Sequence, residues 1–312
     1  MVVNKAEEKT IDFRHITLDD KEKYEKFLFD GVLRGCEFSF ANLYLWGRQK
    51  ISFSPEGVLI FSQFDRRTVY PFPLGAEDLR AAIDKIIADS VTRGIPCRIS
   101  GVLPSQKELL EQLYPGMFRF HSDEDSFDYV YAIDDLAELS GKKYHGKRNH
   151  LNRFMEDHPD CKVVSMSNDN AYMAAEMVER WYETKLAENP NADFHMEKSA
   201  IKKALRDFQE LGLLGLLLLD RGEVLAFTIG SFLRHDTVDV HFEKARADVN
   251  GAYTAINYEF ARYVREKFPS VRFIDREEDM GIEGLRRAKR SYHPSYMVEK
   301  YWACLLEEGY EY

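Results

Sequence analysis

The sequence predicts a mixed α/β protein built from two copies of one structural unit. The first half has the order strand, strand, helix, strand, helix, strand, and the second half ends in the same order. In both halves a strand directly follows an amphipathic helix of similar length, with Glu77 to Arg93 before Cys97 and Ala252 to Phe268 before Val271. The residues themselves barely match between the halves. The repeat is therefore one of architecture, and two copies of a mixed α/β unit are its simplest explanation.

Apolar periodicity and capping residues place the elements of the first half. Strands are expected at 12–16, 58–63, 68–72, 97–102 and 127–133, and helices at 17–29, at 77–93 and from 105 onward. Thr17 with Asp20 resembles a capping box, and Gly94 is placed to end the preceding helix in a left-handed cap. The aromatic segment 36–46 is expected to pack on the core.

A change of composition places the domain boundary near Ser140. The segment 123–138 is acidic, whereas 141–154 contains Lys and Arg but no acid. Residues 1–140 and 141–312 are therefore expected to form the two domains. In the second domain, helices are expected at 170–188, 197–211, 252–268 and from 282, a hairpin at 213–232, and strands at 237–244, 271–275 and 296–304.

The composition argues against several classes of protein. Hydrophobic residues make up 45% of the 312 residues, which favours a packed core, and the net charge of −10 makes the surface as a whole repel nucleic acid and anionic membranes. Cys36, Cys97, Cys161 and Cys304 form no CxxC pair and are expected to be reduced thiols of a cytoplasmic protein. The histidines form no HExxH motif, so no metal site is expected. The polar N-terminal stretch does not resemble a signal peptide.

The stretch 271–292 combines a strand, an acidic segment and a basic helix. Ile282, Leu285 and Tyr292 have helical spacing and are expected to face the core. The other faces carry a concentration of positive charge, from Arg286, Arg287, Lys289 and Arg290. Two interpretations stay open. The charge binds an anion, or it complements the helix dipole, which is worth about 0.3–1 kcal/mol per charge.

The strand 237–244 carries three titratable residues. Regular alternation places Asp239, His241 and Glu243 on one face of this strand. That face is either the wall of a cleft that holds a general base or a solvated sheet face. The turn 246–253 could present backbone N–H groups to an anion at a helix N-terminus, although an Asn-Gly pair is more often a simple turn.

Two further segments have competing interpretations. The basic stretch 142–153 either holds phosphate groups by counter-charge or is a solvated linker. Trp181 and Tyr182 have helical spacing relative to Met177 and are expected in the core. The sequence shows no Ser-His-Asp order, P-loop or dinucleotide-binding fingerprint.

Three motifs together resemble one protein family. They are GKKYHGKRNHLNRF, HFEKA followed by GAYTAIN, and EEDMGIEGLRRAKRSYHP. Over nearly its whole length the chain is similar to a bacterial family of soluble proteins of unassigned function, which is related to the C-terminal cytosolic region of phosphatidylglycerol lysyltransferases. The resemblance implies a tandem pair of acetyltransferase-like (GNAT) folds, also seen in Fem-type aminoacyltransferases. Those relatives pass an aminoacyl group from a charged tRNA to an amine or a hydroxyl.

The resemblance also implies that the second domain is catalytic. In such a transfer the enzyme mainly positions the ester and stabilises an oxyanion. Glu243 or His241 is expected to assist deprotonation of the acceptor. Asp279, also expected among the catalytic residues, would bind a cationic acceptor or an α-amino group together with Glu278. The remaining substrate-binding residues are expected to hold the phosphate-bearing donor or to lie in the matching motifs: Lys147, Arg148, Asn149, Asn257, Arg286, Lys289 and Arg290.

Two departures from the relatives affect the expected donor. The lysyltransferases carry a long membrane-spanning part that this sequence does not show, and acetyl-CoA users carry a glycine-rich pyrophosphate loop of which only Gly251 is present. We expect no tightly bound cofactor, an aminoacyl-tRNA or acyl-CoA as donor, and a small molecule, lipid or peptide as acceptor. The alternatives are a coenzyme A-dependent N-acyltransferase and a non-catalytic module that binds a phosphorylated ligand or an RNA end.

Overall fold

The computed structural model describes residues 10–64, 67–190 and 193–306, so almost all of the polar N-terminal stretch lies outside the described residues. The chain divides into two compact units, one formed by residues 1–127 with 298–312 and the other by 128–297. Each unit contains a seven-stranded sheet with helices, which confirms the mixed α/β class. The four cysteines are free, as expected.

The described strands and helices follow in chain order. The strands are β1 (Arg14–His15), β2 (Gln49–Ser54), β3 (Gly57–Phe64), β4 (Arg67–Pro71), β5 (Arg98–Val102), β6 (Phe118–Ser122), β7 (Asp128–Ala132), β8 (Lys162–Ser165), β9 (Leu214–Asp220), β10 (Glu223–Arg234), β11 (Thr237–Ala245), β12 (Phe273–Asp275), β13 (Tyr296–Val298) and β14 (Tyr301–Leu305). The helices are α1 (Lys21–Asp30), α2 (Phe40–Trp46), α3 (Leu79–Arg93), α4 (Pro104–Leu113), α5 (Ile133–Glu138), α6 (His145–Asp157), α7 (Tyr172–Glu188), α8 (His195–Arg206), α9 (Ala252–Lys267) and α10 (Glu283–Arg290).

The sheet of the first unit has the order β1-β2-β3-β4-β5-β14-β6. β4 and β5 run parallel, and the other neighbours run antiparallel. Local signals in the sequence explain α3. The Asp78 side chain accepts a hydrogen bond from the N–H of Ala81 at 3.0 Å, Ile83 and Ile86 are buried, and Gly94 ends the helix with a φ of 63°. The predicted helix and its cap are therefore confirmed.

The compact units differ from the predicted division at residue 140. β7 pairs with β12 and so belongs to the second sheet, which moves the boundary to 127/128. β14 inserts between β5 and β6, so the end of the chain returns to the first unit. Long-range strand pairing of this kind leaves no signal in local composition. The superposition of the two units as copies of one fold stays a prediction.

The sheet of the second unit has the order β13-β7-β12-β11-β10-β9-β8. β11 and β12 run parallel, while β12 with β7 and the β8–β11 neighbours run antiparallel. One face of this sheet is covered by α9, which buries Ile256, Phe260 and Val264 as its apolar spacing predicts. None of the helices among the described residues is long and apolar enough to cross a membrane.

A β-bulge at His241 interrupts the regular pairing of β11. In the register between β10 and β11, Ile229 pairs with Phe242 and Gly230 pairs with Val240. His241 is therefore an extra residue on β11 with no register partner on β10. An extra residue of this kind reverses the alternation of side chains between the two faces of the strand.

The reversal decides what each side chain of β11 contacts after the bulge. Val240 before the bulge and Ala245 after it both belong to the core that α9 covers, although they differ in parity along the chain. Glu243 shares the face of Ala245 and so lies on the side of α9. Lys244 lies on the opposite side, where its Nζ is 4.0 Å from the centroid of the Trp181 ring on α7.

The basic stretch 142–153 is largely helical, so the linker interpretation is wrong. α6 begins at His145 and packs Leu151 and Phe154 into the core. α6 also packs against the start of α9 at Gly251, whose φ is 80°. A Cβ at this position would lie 2.3 Å from the carbonyl oxygen of His150. Only glycine permits this close approach of the two helices.

Candidate functional site

Backbone pairing with β12 covers only the beginning of β11. Their parallel register ends at Asp239 with Asp275. Beyond that point the N–H of Arg276 donates to the carbonyl oxygen of Tyr129 at 3.0 Å, which lies on β7. The side chain of Arg276 donates from Nη2 to Oε1 of Glu243 at 2.7 Å. An ion pair therefore bridges the two strands where their backbone pairing has ended.

Lys147 of α6 lies beside this ion pair. Its Nζ is 3.7 Å from the centroid of the Tyr292 ring, and the guanidinium of Arg276 is 5.1 Å from the same ring. Burial, followed by the charge of Arg276, lowers the pKa of Lys147 to about 8, against the opposing effect of Glu243. A lysine in such surroundings changes its charge near neutral pH.

Several polar atoms in this region are buried and have no hydrogen-bond partner among the described residues. They include Oε2 of Glu243, Nη1 of Arg276 and Oδ1 of Asn257. Asn257 lies one turn after Thr254, whose side chain hydrogen-bonds Tyr292, so it faces the same region. Buried polar groups in folded proteins are usually paired, and leaving one unpaired costs about 1–3 kcal/mol.

We call Lys147, Glu243, Asn257, Arg276 and Tyr292 the Lys147 cluster. It combines two cationic groups, one carboxylate with a buried oxygen and one amide. Cationic donors can stabilise an oxyanion, and a carboxylate can accept a proton from an attacking amine or hydroxyl. The sequence predicted Lys147, Glu243 and Asn257 as site residues. Lys147 and Glu243 interact electrostatically, and Asn257 faces the same region.

The prediction that Asp239, His241 and Glu243 share one face is wrong because of the bulge. His241 has a side chain with 0% exposure, and it contacts Ser231 and Asp239 rather than Glu243. Its Nε2 is 2.8 Å from Oγ of Ser231. Glu243 is 9% exposed and lies on the other face of β11. The solvated-face interpretation is also wrong, because Asp239 is fully buried.

Arg286, which is partly exposed, forms an ion pair with the buried Asp279 that holds the loop after β12. Nε and Nη2 of Arg286 donate to the two carboxylate oxygens of Asp279 at 2.8 and 2.9 Å. The hydroxyl of Tyr129 adds a third hydrogen bond to this carboxylate at 2.6 Å. The contact with Arg286 holds the pKa of Asp279 well below its usual range, although burial opposes the shift. Both side chains, predicted to bind substrates, therefore have a clear structural partner.

Lys289 also stabilises the loop after β12. Its buried Nζ donates to the carbonyl oxygens of Arg276, Glu277 and Glu278 at 2.5, 3.1 and 2.5 Å. The loop needs this support because Glu277 and Met280 both have left-handed backbone conformations, with φ of 57° and 53°. The basic charge of α10 is thus partly explained by the loop that precedes it.

The core prediction for 282–292 is correct only in part. Tyr292 is 5% exposed, whereas Ile282 is 53% exposed. Ile282 is the N-cap of α10 and has an extended backbone, so helical spacing does not apply to it. Leu285 is half-buried.

Three other predicted substrate-binding residues lie apart from the cluster. Arg148 donates to the carbonyl oxygens of Leu139 and Gly141, which ties α6 to the segment before it. Asn149 is exposed and lies 3.3 Å from Nε2 of His145, one turn earlier on α6. Arg290 is exposed on α10 and hydrogen-bonds Tyr129.

The turn predicted to bind an anion before α9 is occupied by protein contacts. Arg246 donates to Glu223 at 2.5 Å and to Asp248 at 2.7 Å. Close packing of α6 on Gly251 takes the space beside the helix start.

A cavity of about 640 Å³ lies between α7, the β9–β10 turn and the β11–α9 loop. Tyr182 is buried as predicted, but Trp181 is only half-buried and lines this cavity, so its assignment to the core was wrong. The other main lining residues are Met173, Met177, Arg180, Lys185 and Arg246.

Arg276 belongs to the Lys147 cluster but was not predicted from the sequence. It directly follows the strand β12, and the carboxyl ends of parallel strands are common places for binding residues. This position in the sequence was the available signal. The excess of charge on α10 drew attention to Arg286 and Lys289 instead.

Replacing Arg286 by Ala should destabilise the fold. Asp279 would stay buried without its ion-pair partner, which costs about 3 kcal/mol. The free energy of unfolding, measured by urea denaturation, should fall accordingly. The control is Arg287→Ala, whose side chain is 76% exposed and should change this quantity by less than about 0.5 kcal/mol. Equal effects of the two variants would contradict the structural role of Arg286.

The Lys147→Met variant should be more stable than the wild type at pH 7, and this difference in stability should depend on pH. The folded-state pKa of about 8 lies below the unfolded value, so the unfolded chain binds more protons between about pH 8 and 10.5. Protonated Lys147 therefore costs stability at pH 7, on the order of 1–3 kcal/mol, and this cost disappears as the pH rises through that window. Urea denaturation at pH 7 and 10.5 measures the difference.

The control for this prediction is Lys142→Met, an exposed residue just before α6. This variant should have the stability of the wild type at both pH values. A Lys147→Met protein that is less stable than the wild type at pH 7, with no dependence on pH, would show that the surroundings of Lys147 favour its charged form.

Comparison with known proteins identifies the family of this chain. The sequence profile of the family described as "Phosphatidylglycerol lysyltransferase, C-terminal" matches residues 32–304. The crystal structure of a conserved protein of unknown function from Bacteroides thetaiotaomicron VPI-5482 matches with a TM-score of 0.90 and 35% identity, over 95% of this chain and 100% of that one.

More distant structures share the fold. L-PGS from Bacillus licheniformis matches with a TM-score of 0.66 and 17% identity, over 92% of each chain. FemX matches with a TM-score of 0.63 and 13% identity, over 95% of this chain and 98% of that one. These matches confirm that the chain has the fold of the lysyltransferase C-terminal region and of the Fem-type relatives, as the resemblance implied.

An uncharacterised curated protein of Mycoplasmoides gallisepticum is 24% identical over 181 residues, and the chain covers 56% of that relative, or about half its length. The family profile, in contrast, covers most of this chain. The protein therefore belongs to the family of the C-terminal domain of phosphatidylglycerol lysyltransferases.

Proposed function

We propose that the second unit transfers an aminoacyl group from an aminoacyl-tRNA to an amine or hydroxyl acceptor, and that the reaction takes place at the Lys147 cluster. Family membership and the fold shared with L-PGS and FemX support acyl transfer. The location of the reaction is inferred from one observation. Glu243, Asn257 and Arg276 each bury a polar atom that has no partner among the described residues, and a bound substrate would supply those partners.

The cluster has the groups that each step of the transfer needs. The acceptor nitrogen or oxygen attacks the carbonyl carbon of the aminoacyl ester, and Oε2 of Glu243 accepts its proton. The negative charge that forms on the carbonyl oxygen is stabilised by Lys147 and Arg276. The C–O bond to the ribose then breaks, and the ribose oxygen takes the proton back from Glu243.

The ion pair with Arg276 suits Glu243 to this role. It fixes Oε1 at 2.7 Å and leaves Oε2 as the oxygen available to a substrate. Oε2 is buried and the side chain as a whole is 9% exposed, so this carboxylate is not fully hydrated. His241 is less suited to meet the acceptor because its side chain is completely buried.

The closed start of α9 supports aminoacyl-tRNA over coenzyme A as the donor. A helix N-terminus is a favourable site for a pyrophosphate because its N–H groups are unpaired. Here α6 lies against Gly251, and Arg246 is engaged by Glu223 and Asp248. A pyrophosphate at this position would have to displace these contacts.

An assay of ester cleavage tests the proposal. The protein is mixed with radiolabelled aminoacyl-tRNAs, and ethanolamine is added as a probe acceptor that offers both an amine and a hydroxyl. We expect product formation above the buffer rate. Replacement of Glu243 by Gln should lower the rate by about 100-fold or more because the proton acceptor is lost.

The matched control for this assay is Glu223→Gln, a glutamate of the same unit whose side chain is 59% exposed. It should keep the wild-type rate, and thermal melting should show that both variants are folded. Equal rates for the two variants would contradict the role of Glu243. Consumption of acetyl-CoA in place of aminoacyl-tRNA, or binding of the tRNA without turnover, would contradict the proposed donor or the proposed catalysis.

A further inference from the structure

Asp239, His241 and Glu277 converge on one point on the face of β11 opposite to Glu243. One ligand atom of each residue lies within 4.8 Å of those of the other two. Nδ1 of His241 is 3.4 Å from Oδ2 of Asp239 and 3.3 Å from Oε1 of Glu277. The side chains of His241 and Asp239 have no exposed surface, and that of Glu277 is 22% exposed.

These two distances are long for hydrogen bonds between charged groups. Such bonds between a nitrogen donor and a carboxylate are usually about 2.7–2.9 Å. The same unit provides a comparison, because Nδ1 of His158 lies 2.7 Å from Oδ2 of Asp220. In addition, a single N–H on Nδ1 cannot point at two carboxylates at once with good geometry.

The distances agree better with the edges of a metal coordination polyhedron. Nitrogen and oxygen ligands lie about 2.0–2.2 Å from Zn²⁺, so neighbouring ligands of a tetrahedral site are about 3.3–3.5 Å apart. Both measured separations from Nδ1 fall in this range. Imidazole and carboxylate groups are both ligands of Zn²⁺ and related divalent transition ions.

Ser231 supports this arrangement from the second side of the imidazole. Its Oγ is 2.8 Å from Nε2 of His241. An Nε2–H that donates to this hydroxyl leaves Nδ1 unprotonated and free to bind a cation. Metal-bound histidines typically donate their other ring N–H to a neighbouring acceptor, which fixes the tautomer.

The local charge also favours a cation. Asp239 and Asp275 are register partners on β11 and β12, and both are fully buried. Glu277 follows two residues later and adds a third carboxylate to the same region. Buried charges in proteins are usually paired or coordinate a metal ion.

We propose that Asp239, His241 and Glu277 form a binding site for one divalent transition-metal ion of the zinc class, which links the bulge of β11 to the loop after β12. The ligands come from segments 36 residues apart in the chain, measured from His241 to Glu277. They meet only because β11 and β12 pair in parallel, which explains why no zinc motif is visible in the sequence. The site is independent of the proposed acyl transfer.

A zinc titration of the full chain tests this site. The protein is dialysed against a chelator, the chelator is removed, and ZnCl₂ is titrated by calorimetry, with bound metal measured by mass spectrometry. We expect about one equivalent of Zn²⁺ per chain. Asp239→Asn and Glu277→Gln should each weaken binding by at least about tenfold, because each removes a charged ligand. The control His158→Gln, which changes the other histidine–carboxylate pair, should bind zinc like the wild type.

Cobalt provides a second readout, because Co²⁺ in a tetrahedral site absorbs visible light strongly. The wild type should show this absorption, and Glu277→Gln should lose it. Glu277 is the partly exposed ligand, so this variant decides the matter even if Asp239→Asn does not fold. Less than one tenth of an equivalent of bound zinc in the wild type would overturn the proposal. So would zinc binding that His158→Gln weakens as much as Glu277→Gln does.

Discussion

The extra residue at His241 is the constraint on which the second unit depends. It reverses the alternation of β11, so that Glu243 faces α9 and α6 while Lys244 faces α7. Without the bulge, Glu243 would share a face with Asp239, and the carboxylate would lie away from Lys147. One added backbone residue thus separates two polar groups that the sequence places side by side.

The end of the β11–β12 pairing adds the second condition for a site. Backbone hydrogen bonds between parallel strands hold them together only as far as Asp239 and Asp275. Beyond this point side chains join the strands, through Arg276 with Glu243 on one face and His241 with Glu277 on the other. Buried ion pairs contribute little net stability, because desolvation offsets the attraction between the charges. We therefore assign the ion pair of Arg276 with Glu243 to the proposed substrate site rather than to stability of the fold.

The loop after β12 shows how the strained backbone near the site is maintained. Glu277 and Met280 hold left-handed conformations that cost free energy. Lys289 donates to three carbonyl groups of this loop, and Arg286 binds Asp279. These contacts fix the direction of Arg276 and Glu277, which point to opposite faces of the sheet. The basic residues of α10 therefore act on the site through the loop.

The sequence predicted features that depend on local patterns. Helix α3 and its Gly94 cap follow from residues that lie within a few positions of each other. The proposed site residues Lys147, Glu243 and Asn257 lie in motifs shared with a family. The face of Glu243 could not be predicted, because a bulge depends on the register of β10 against β11 and leaves the sequence pattern of β11 unchanged. The structural role of Arg286 was equally hidden, since excess charge on a helix does not reveal which carboxylate it contacts.

We propose that the Lys147 cluster binds the reacting ester. A crystal structure of the protein with an aminoacyl-adenosine analogue, in which an amide replaces the ester, tests this claim most directly. We expect the amide carbonyl to lie within hydrogen-bonding distance of Lys147 or Arg276, with Oε2 of Glu243 next to the carbonyl carbon. An analogue bound in the cavity beside Trp181, with the Lys147 cluster unchanged and out of its reach, would contradict the proposed location of the reaction.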